Sequence, residues 1–302
     1  MVQIVNIRDL ALDTINALDE SVSIDQGKRF KELEREVLPK MTDAYEMGGN
    51  KRTHLGASVI GDECLRKIWL KFRKFKQEKF NGSKIRLFNR GHLEEGRIIA
   101  NLECANIHVD YIDHEREDRQ YGGIIGWFGS SIDGLTRDTK EYPKELIILE
   151  FKTMSDKRFN DFVNYGIKEK FTSYYKQAIV NIENMNRQYN YNIDKVLLLA
   201  VNKNNDKLFG EYIKADKKEA ERLIDLANTL ATSEEIPSLL KQSSAYFPCN
   251  MCEYKDICFN GEEANKCCRT CQNCCRDNNG EKCVFLNECN YSEECYIPVK
   301  VN

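Results

Sequence analysis

The pattern of apolar positions along the chain switches repeatedly between two periods. The run Glu145-Leu-Ile-Ile-Leu-Glu150 is apolar and β-branched, and Phe151 between Glu150 and Lys152 keeps the alternation of a strand. Further strands are expected near 107–113 and 122–133, over Lys195–Val201 and over Phe209–Ile213. Helical spacing marks Phe30–Leu38, Cys64–Phe75, Arg86–Ala100, Phe171–Met185 and Lys217–Thr232, with Ser58 placed to cap a turn before the second of these. Strands interleaved with helices predict an α/β fold. Three segments are expected: a polar helical stretch over 1–50, a main domain over 51–260, and a cysteine-rich module over 262–302.

With 302 residues, the chain has room for one good-sized α/β domain and a small appendage. Its 41% hydrophobic and 31% charged content is that of a soluble globular protein. Runs such as Val196-Leu-Leu-Leu-Ala-Val201 are far too short to span a bilayer, so no membrane partner is expected. Met1-Val-Gln-Ile-Val-Asn-Ile-Arg8 lacks a basic segment followed by an apolar one, and the expected compartment is cytoplasmic. In that setting thirteen cysteines point to metal rather than disulfides. A net charge of −3 does not announce a nucleic-acid binder. The stretch Arg66–Lys79 is locally basic, however, with Trp69, Phe72 and Phe75 interleaved. It reads equally as a helix whose basic face tracks a phosphate backbone and as an amphipathic helix whose aromatics are core.

The chemistry concentrates on Asp133 and, after a gap of sixteen residues, Glu150-Phe-Lys152. Gly122–Gly134 reads as a strand ending in an Asp-Gly turn that exposes the aspartate, and hydrophilic Thr136–Lys144 reads as a hairpin connection. Such a hairpin presents two carboxylates and an ammonium at one point. Paired carboxylates suit Mg²⁺ or Mn²⁺, and a lysine beside them can orient a metal-bound water for phosphodiester hydrolysis. Asp138-Thr-Lys140 and Glu253-Tyr-Lys255 repeat the short motif without the strand context. The bland alternative is a surface hairpin with charged ends. His92, on a helix, is a candidate third metal ligand or an ordinary packed or surface residue. Gln177 is an amide able to reach DNA or the lysine, or a plain helix residue.

Cys249-x2-Cys252-x5-Cys258 supplies three thiolates for one centre. The fourth ligand comes either from the cysteines that follow or from Cys64, and spacing does not choose between Zn²⁺ and [4Fe–4S]. Cys104 reads as a small buried hydrophobe. Eight cysteines between Cys267 and Cys295 lie among few apolar residues, so metal must supply the folding energy there. Cys268, Cys271, Cys283 and Cys295 form a plausible Zn²⁺ set, with Cys274 or Cys289 competing for the fourth place.

Taken together, these residues resemble the PD-(D/E)xK nucleases of the RecB type, in particular the iron–sulfur branch with the CRISPR-adaptation nucleases, AddB and phage exonucleases. Ser58–Lys67 resembles the family's opening segment, whose cysteine is a cluster ligand. Gly91-His92 resembles its histidine motif, and Gly129-Ser-Ser-Ile-Asp133-Gly134 with Glu150-Phe-Lys152 resembles its catalytic core. Tyr175-Lys-Gln177 and Pro248-Cys249-x2-Cys252-x5-Cys258 resemble its helix motif and cysteine staple. The resemblance covers roughly residues 53–260. Asn181 stands where the family often has tyrosine.

The resemblance implies a restriction-endonuclease-like core, a mixed sheet flanked by helices, tied by a [4Fe–4S] cluster on Cys64, Cys249, Cys252 and Cys258, with Zn²⁺ as the alternative. It implies a catalytic Mg²⁺ or Mn²⁺ on His92, Asp133, Glu150 and the Phe151 carbonyl, with Lys152 and Gln177 completing the catalytic set. The implied activity is a deoxyribonuclease, expected to be an exonuclease at DNA ends in recombination or replication, in a bacterial or phage-infected cell. Implied partners are DNA and a helicase or single-strand annealing protein, since no Gly-x4-Gly-Lys-Ser/Thr loop occurs in the chain. The rival expectations are a non-catalytic DNA-binding scaffold on the same fold and an adaptor that binds protein through the cysteine-rich tail.

Overall fold

The computed structural model describes residues 8–47, 53–77, 79–117, 119–277, 280–283, 296–299 and 301. In chain order the helices are α1 (Leu12–Ile24), α2 (Lys28–Met47), α3 (Ala57–Ile60), α4 (Leu65–Phe72), α5 (Gly82–Cys104), α6 (Asp156–Lys170), α7 (Thr172–Tyr189), α8 (Lys217–Thr232), α9 (Phe247–Asn250) and α10 (Lys255–Phe259). The strands are β1 (Leu55–Gly56), β2 (Gly122–Ile125), β3 (Phe128–Ser131), β4 (Gly134–Thr136), β5 (Ile147–Met154), β6 (Lys195–Asn202), β7 (Leu208–Lys214), β8 (Cys274–Asp277) and β9 (Gly280–Cys283). A four-stranded sheet has the order β4-β5-β6-β7, and a three-stranded sheet the order β1-β3-β2. The chain is thus mixed α/β.

Two compact units divide the chain: residues 1–52, 80–124 and 130–221 form the first, and 53–79, 125–129 and 222–302 the second. The four-stranded sheet centres the first. Strand β5 runs parallel to β6, while β4–β5 and β6–β7 are antiparallel. Strand β6 is buried along its whole length, which is why Lys195–Val201 is apolar almost without interruption. Ile147, Leu149 and Phe151 of β5 join Leu197, Leu199 and Val201 of β6 in one core with Leu18 of α1, Val37 and Met41 of α2, and Ile98, Ile99 and Leu102 of α5. The intervening residues Ile148, Glu150 and Lys152 take the opposite face of the strand, because side chains alternate.

The second unit is built on Trp69, Leu70, Phe75, Tyr254 and Ile257, against which Cys252, Cys258, Ala264 and Val299 pack. The arginines of the basic–aromatic stretch are spent on its interior. Arg66 donates to the Pro237 carbonyl at 2.7 Å, and Arg73 to the Ser233 carbonyl at 2.7 Å while lying 4.3 Å over the Trp69 ring. Trp69, Phe72 and Phe75 are all buried. Of the two sequence readings, the amphipathic core helix is the one that describes these aromatics.

Several local expectations need correction. No strand covers 107–113; single bridges at Asp110 and Asp113 precede a short 3-10 turn over His114–Arg116. Asp113 accepts from the Glu115 N–H at 3.1 Å, the local bond by which an aspartate draws backbone out of a ladder. The segment 122–133 is two strands, because Gly126 turns with φ of +62° and the Trp127 N–H goes to Asn228 Oδ1 at 2.6 Å. Helix α4 stops at Phe72, with Lys74 left-handed at φ of +58°. Ser58 lies inside α3, and the cap of α4 is Cys64, whose Sγ accepts from the Lys67 N–H at 3.4 Å.

Candidate active site

Asp133 directly precedes Gly134, which pairs with Leu149, so Asp133 stands opposite Glu150 at the end of the β4–β5 ladder. The Phe151 N–H donates to Asp133 Oδ2 at 2.6 Å, fixing the carboxylate against the strand that carries Glu150 and Lys152. The expected Asp-Gly turn is instead a strand start. Gly134 is buried, and a Cβ there would meet Val109 Cγ1 at 2.7 Å, so close packing rather than turn geometry requires the glycine. The hairpin connection over 137–146 forms as expected, between β4 and β5.

Glu150 is buried, with 3% of its surface exposed, and each of its oxygens is held. Oε1 receives the Lys152 ammonium and the Gln177 Nε2 donor, the latter at 2.9 Å. Oε2 receives Asn181 Nδ2 at 3.2 Å. Gln177 therefore reaches the acid rather than the lysine, and Asn181, one turn further along α7, does the same. Asn181 is fully buried, and its Oδ1 finds no hydrogen-bond partner among the described residues. Lys152 Nζ also lies 5.1 Å over the Tyr174 ring, and Arg158 donates to the Tyr174 hydroxyl at 3.0 Å.

A third carboxylate completes the group. Glu95, one turn beyond His92 on α5, is pushed up to about 9, first by burial and then by Asp133 and Glu150, against the pull of Lys152. Burial and Glu150 push Asp133 up to about 7, against Lys152 and the Phe151 N–H. Lys152 is raised as well, for a different reason. Burial alone would lower it, but Glu150 and Asp133 hold it above the usual lysine range. His92 Nδ1 stands 4.0 Å from Glu95 Oε2, and partial burial lowers its pKa. Glu95 was not among the residues expected from sequence. Its signal was available in the spacing, since residues three apart on a helix share a face with His92. Gly96 lets α5 settle there, because a Cβ at that position would meet Leu38 Cδ2 of α2 at 2.5 Å.

Thiols gather in the second unit. Cys64 and Cys252 each raise the Cys258 thiol behind the leading effect of burial, while Arg66 lowers it. Burial likewise pushes Cys252 up, with Lys67 opposing and Cys64 assisting. Cys64, Cys252 and Cys258 are thus electrostatic neighbours, and buried Cys249 is tied to Cys252 by a turn whose N–H···O distance is 3.2 Å. In the tail, buried Cys271 accepts two backbone N–H groups, from Asn273 and Ile297, each at 3.4 Å. Cys274 pairs across the β8–β9 hairpin with Cys283. Cys268 is half-buried beside them in sequence. The Cys283 side chain, Cys289 and Cys295 lie outside the described residues, and with them half of the expected zinc set. Cys104 is buried, as expected of a small hydrophobe. Among the described residues no three His, Cys, Asp or Glu side chains form a ready-made metal-ligand set. No described helix is long and apolar enough to cross a membrane.

No protein-family model and no curated protein matches the chain. Among solved structures, the crystal structure of SSO0001 aligns with 75% of this chain and 95% of its own at 12% identity, with a TM-score of 0.40.

Proposed function

We propose that the chain is a divalent-metal-dependent deoxyribonuclease of the PD-(D/E)xK type, on a restriction-endonuclease-like core. The observation that carries this reading is the convergence of Glu95, Asp133 and Glu150 on the single ammonium of Lys152. Three carboxylates against one fixed cation leave an excess of negative charge, which adds to the leading effect of burial in raising Glu95 and Asp133. That is the donor chemistry a hard cation such as Mg²⁺ or Mn²⁺ prefers. The orphaned Oδ1 of Asn181 beside Glu150 fits a hydrated polar site as well, since a buried acceptor is ordinarily satisfied.

Asp133, Glu150 and Glu95 would hold the ion, with His92 and the Phe151 carbonyl available to it. When bound, a divalent ion supplies Lewis acidity and a water of lowered pKa. Everything else falls to the chain's own groups. Gln177 and Asn181 lock the two oxygens of Glu150 in one orientation. Lys152 keeps its proton through neutral pH, so it acts as a positioned cation and hydrogen-bond donor toward a phosphate oxygen or a water, not as a base. Its raised pKa thus fits the orienting role that the sequence suggests for this lysine. Incubation of the purified chain with Mn²⁺ and linear or circular DNA tests the proposal. Metal-dependent cleavage of linear DNA, lost in Glu150→Gln, is the expected result. Tight DNA binding with no cleavage under any divalent ion would instead favour the non-catalytic scaffold.

The cysteine staple belongs to the same reading, with Cys64, Cys249, Cys252 and Cys258 holding [4Fe–4S] or, failing that, Zn²⁺. Anaerobically purified protein is expected to be brown, with broad thiolate-to-iron absorption near ~400 nm. Cys64→Ser and Cys252→Ser should each bleach it. Colourless protein carrying only zinc at full nuclease activity would overturn the iron assignment.

A further inference from the structure

We propose that the first half of α5 is an arm that binds single-stranded nucleic acid and lays it toward Glu95 and Asp133. The helix has two different halves. From Glu94 onward most residues pack into the protein, whereas residues 82–90 are all exposed. The exposed half is not uniformly polar: Ile85, Leu87 and Phe88 show 44–54% of their surface, with Leu93 just beyond at 44% and Phe80 just ahead of the helix at 37%. Ile85 and Phe88, three residues apart, share one face of the helix, and apolar side chains held in water mark an interaction surface.

Charge identifies the occupant. Between Phe80 and Leu93 the chain carries Lys84, Arg86 and Arg90 and no acid. A half-helix that carries only one sign of charge complements a polyanion. The Lys84 ammonium sits 4.6 Å over the Phe80 ring and 5.8 Å over the Phe88 ring, and the two rings meet edge-on at 5.0 Å. A cation set between two exposed rings offers a phosphate contact and base-stacking faces in one place. A duplex buries its base faces within the stack, whereas a single strand presents them to aromatic side chains. Arg90 donates to the Lys203 carbonyl at 3.0 Å, which anchors the arm to the loop after β6.

The direction of the strand follows from the helix. Phe88 and Glu95 are seven residues apart on α5, roughly 10 Å along its axis. A strand gripped at Phe88 therefore needs only a short step to reach the carboxylates. In this respect the inference rests on the nuclease reading, while the binding itself does not.

Anisotropy of fluorescein-labelled oligo(dT) in EDTA, where no metal-dependent cleavage intervenes, tests the arm. Phe88→Ala is expected to weaken oligo(dT) roughly 5- to 100-fold. Lys84→Gln with Arg86→Gln should weaken it too, and should lower the slope of log affinity against log salt by about 1.4. All three positions are exposed, so melting behaviour should match wild type. Unchanged oligo(dT) affinity in both variants would overturn the proposal. So would sedimentation showing a wild-type dimer that these variants split, because the face would then belong to a second copy. If oligo(dT) binds through α5 but Mn²⁺ brings no cleavage, the nuclease reading fails and the arm stands.

Discussion

Replacing Lys152 with methionine is expected to reduce phosphodiester hydrolysis by at least ~100-fold, the usual cost of removing one preorganised donor from a developing oxyanion. Oligonucleotide affinity should hold, because it arises mostly from phosphate contacts elsewhere on the surface. The reason lies in where the ammonium is kept. Only 18% of the Lys152 side chain is exposed, and burial by itself would lower its pKa. Glu150 and Asp133 outweigh that penalty, so the charge is permanent and aimed at the same oxygens that face the candidate metal. Methionine keeps the volume and removes the charge, which separates electrostatics from packing. Single-turnover cleavage at saturating Mn²⁺ is the measurement. A methionine variant that cleaves at the wild-type rate would remove Lys152 from the mechanism.

What the sequence disclosed, and what it hid, divides along one physical line. The period of β5 and β6 was plain because both strands are buried in a central sheet, where apolar residues are demanded at nearly every position. Glu150 and Lys152 stood out against that background as the charges a buried strand does not tolerate without partners. Asp133 was legible as a residue but not in its setting. A glycine after an aspartate signals a turn locally, whereas here Val109 packs too closely for any side chain. Glu95 was overlooked among the many charged residues of α5, although its spacing from His92 set it apart from Glu94, which pairs with Arg97 at 2.7 Å. The arginines of α4 misled in the opposite sense. Locally they form a basic stretch, yet Arg66 and Arg73 point inward to the carbonyls of Pro237 and Ser233 in the loop after α8. The donor fork that makes arginine a phosphate reader makes it equally a carbonyl clamp.

The same carboxylates predict a dependence on pH whose sign runs against the usual one. Ordinary paired carboxylates are depressed on folding and stabilise a protein as pH rises. Here Asp133 is raised to about 7 and Glu95 to about 9, so the folded chain retains protons that the unfolded chain releases above about pH 4. The folded state then binds more protons than the unfolded state, and stability falls as pH climbs through that interval. A tenfold change in proton affinity corresponds to about 1.4 kcal/mol. Glu95, Asp133 and Glu150 share their repulsion, however, and Lys152 relieves part of it. A combined loss on the order of 2–4 kcal/mol is therefore expected across that range in EDTA. For a unit of this size the melting midpoint drops by roughly 5–10 °C. Added Mn²⁺ should flatten the profile, because an ion bound only by the folded state stabilises it, and does so more strongly as protons cease to compete. Glu95→Gln should remove much of the slope without metal, since it takes one charge out of the crowd. His92, the other titratable group beside Glu95, is lowered by partial burial and bears on the acidic end of the profile. Differential scanning calorimetry across this pH range, with EDTA and with Mn²⁺, reads the outcome directly. Stability that rises with pH in EDTA, or a profile that Glu95→Gln leaves unchanged, would mean that these three carboxylates are not crowded, and the metal assignment would lose its support.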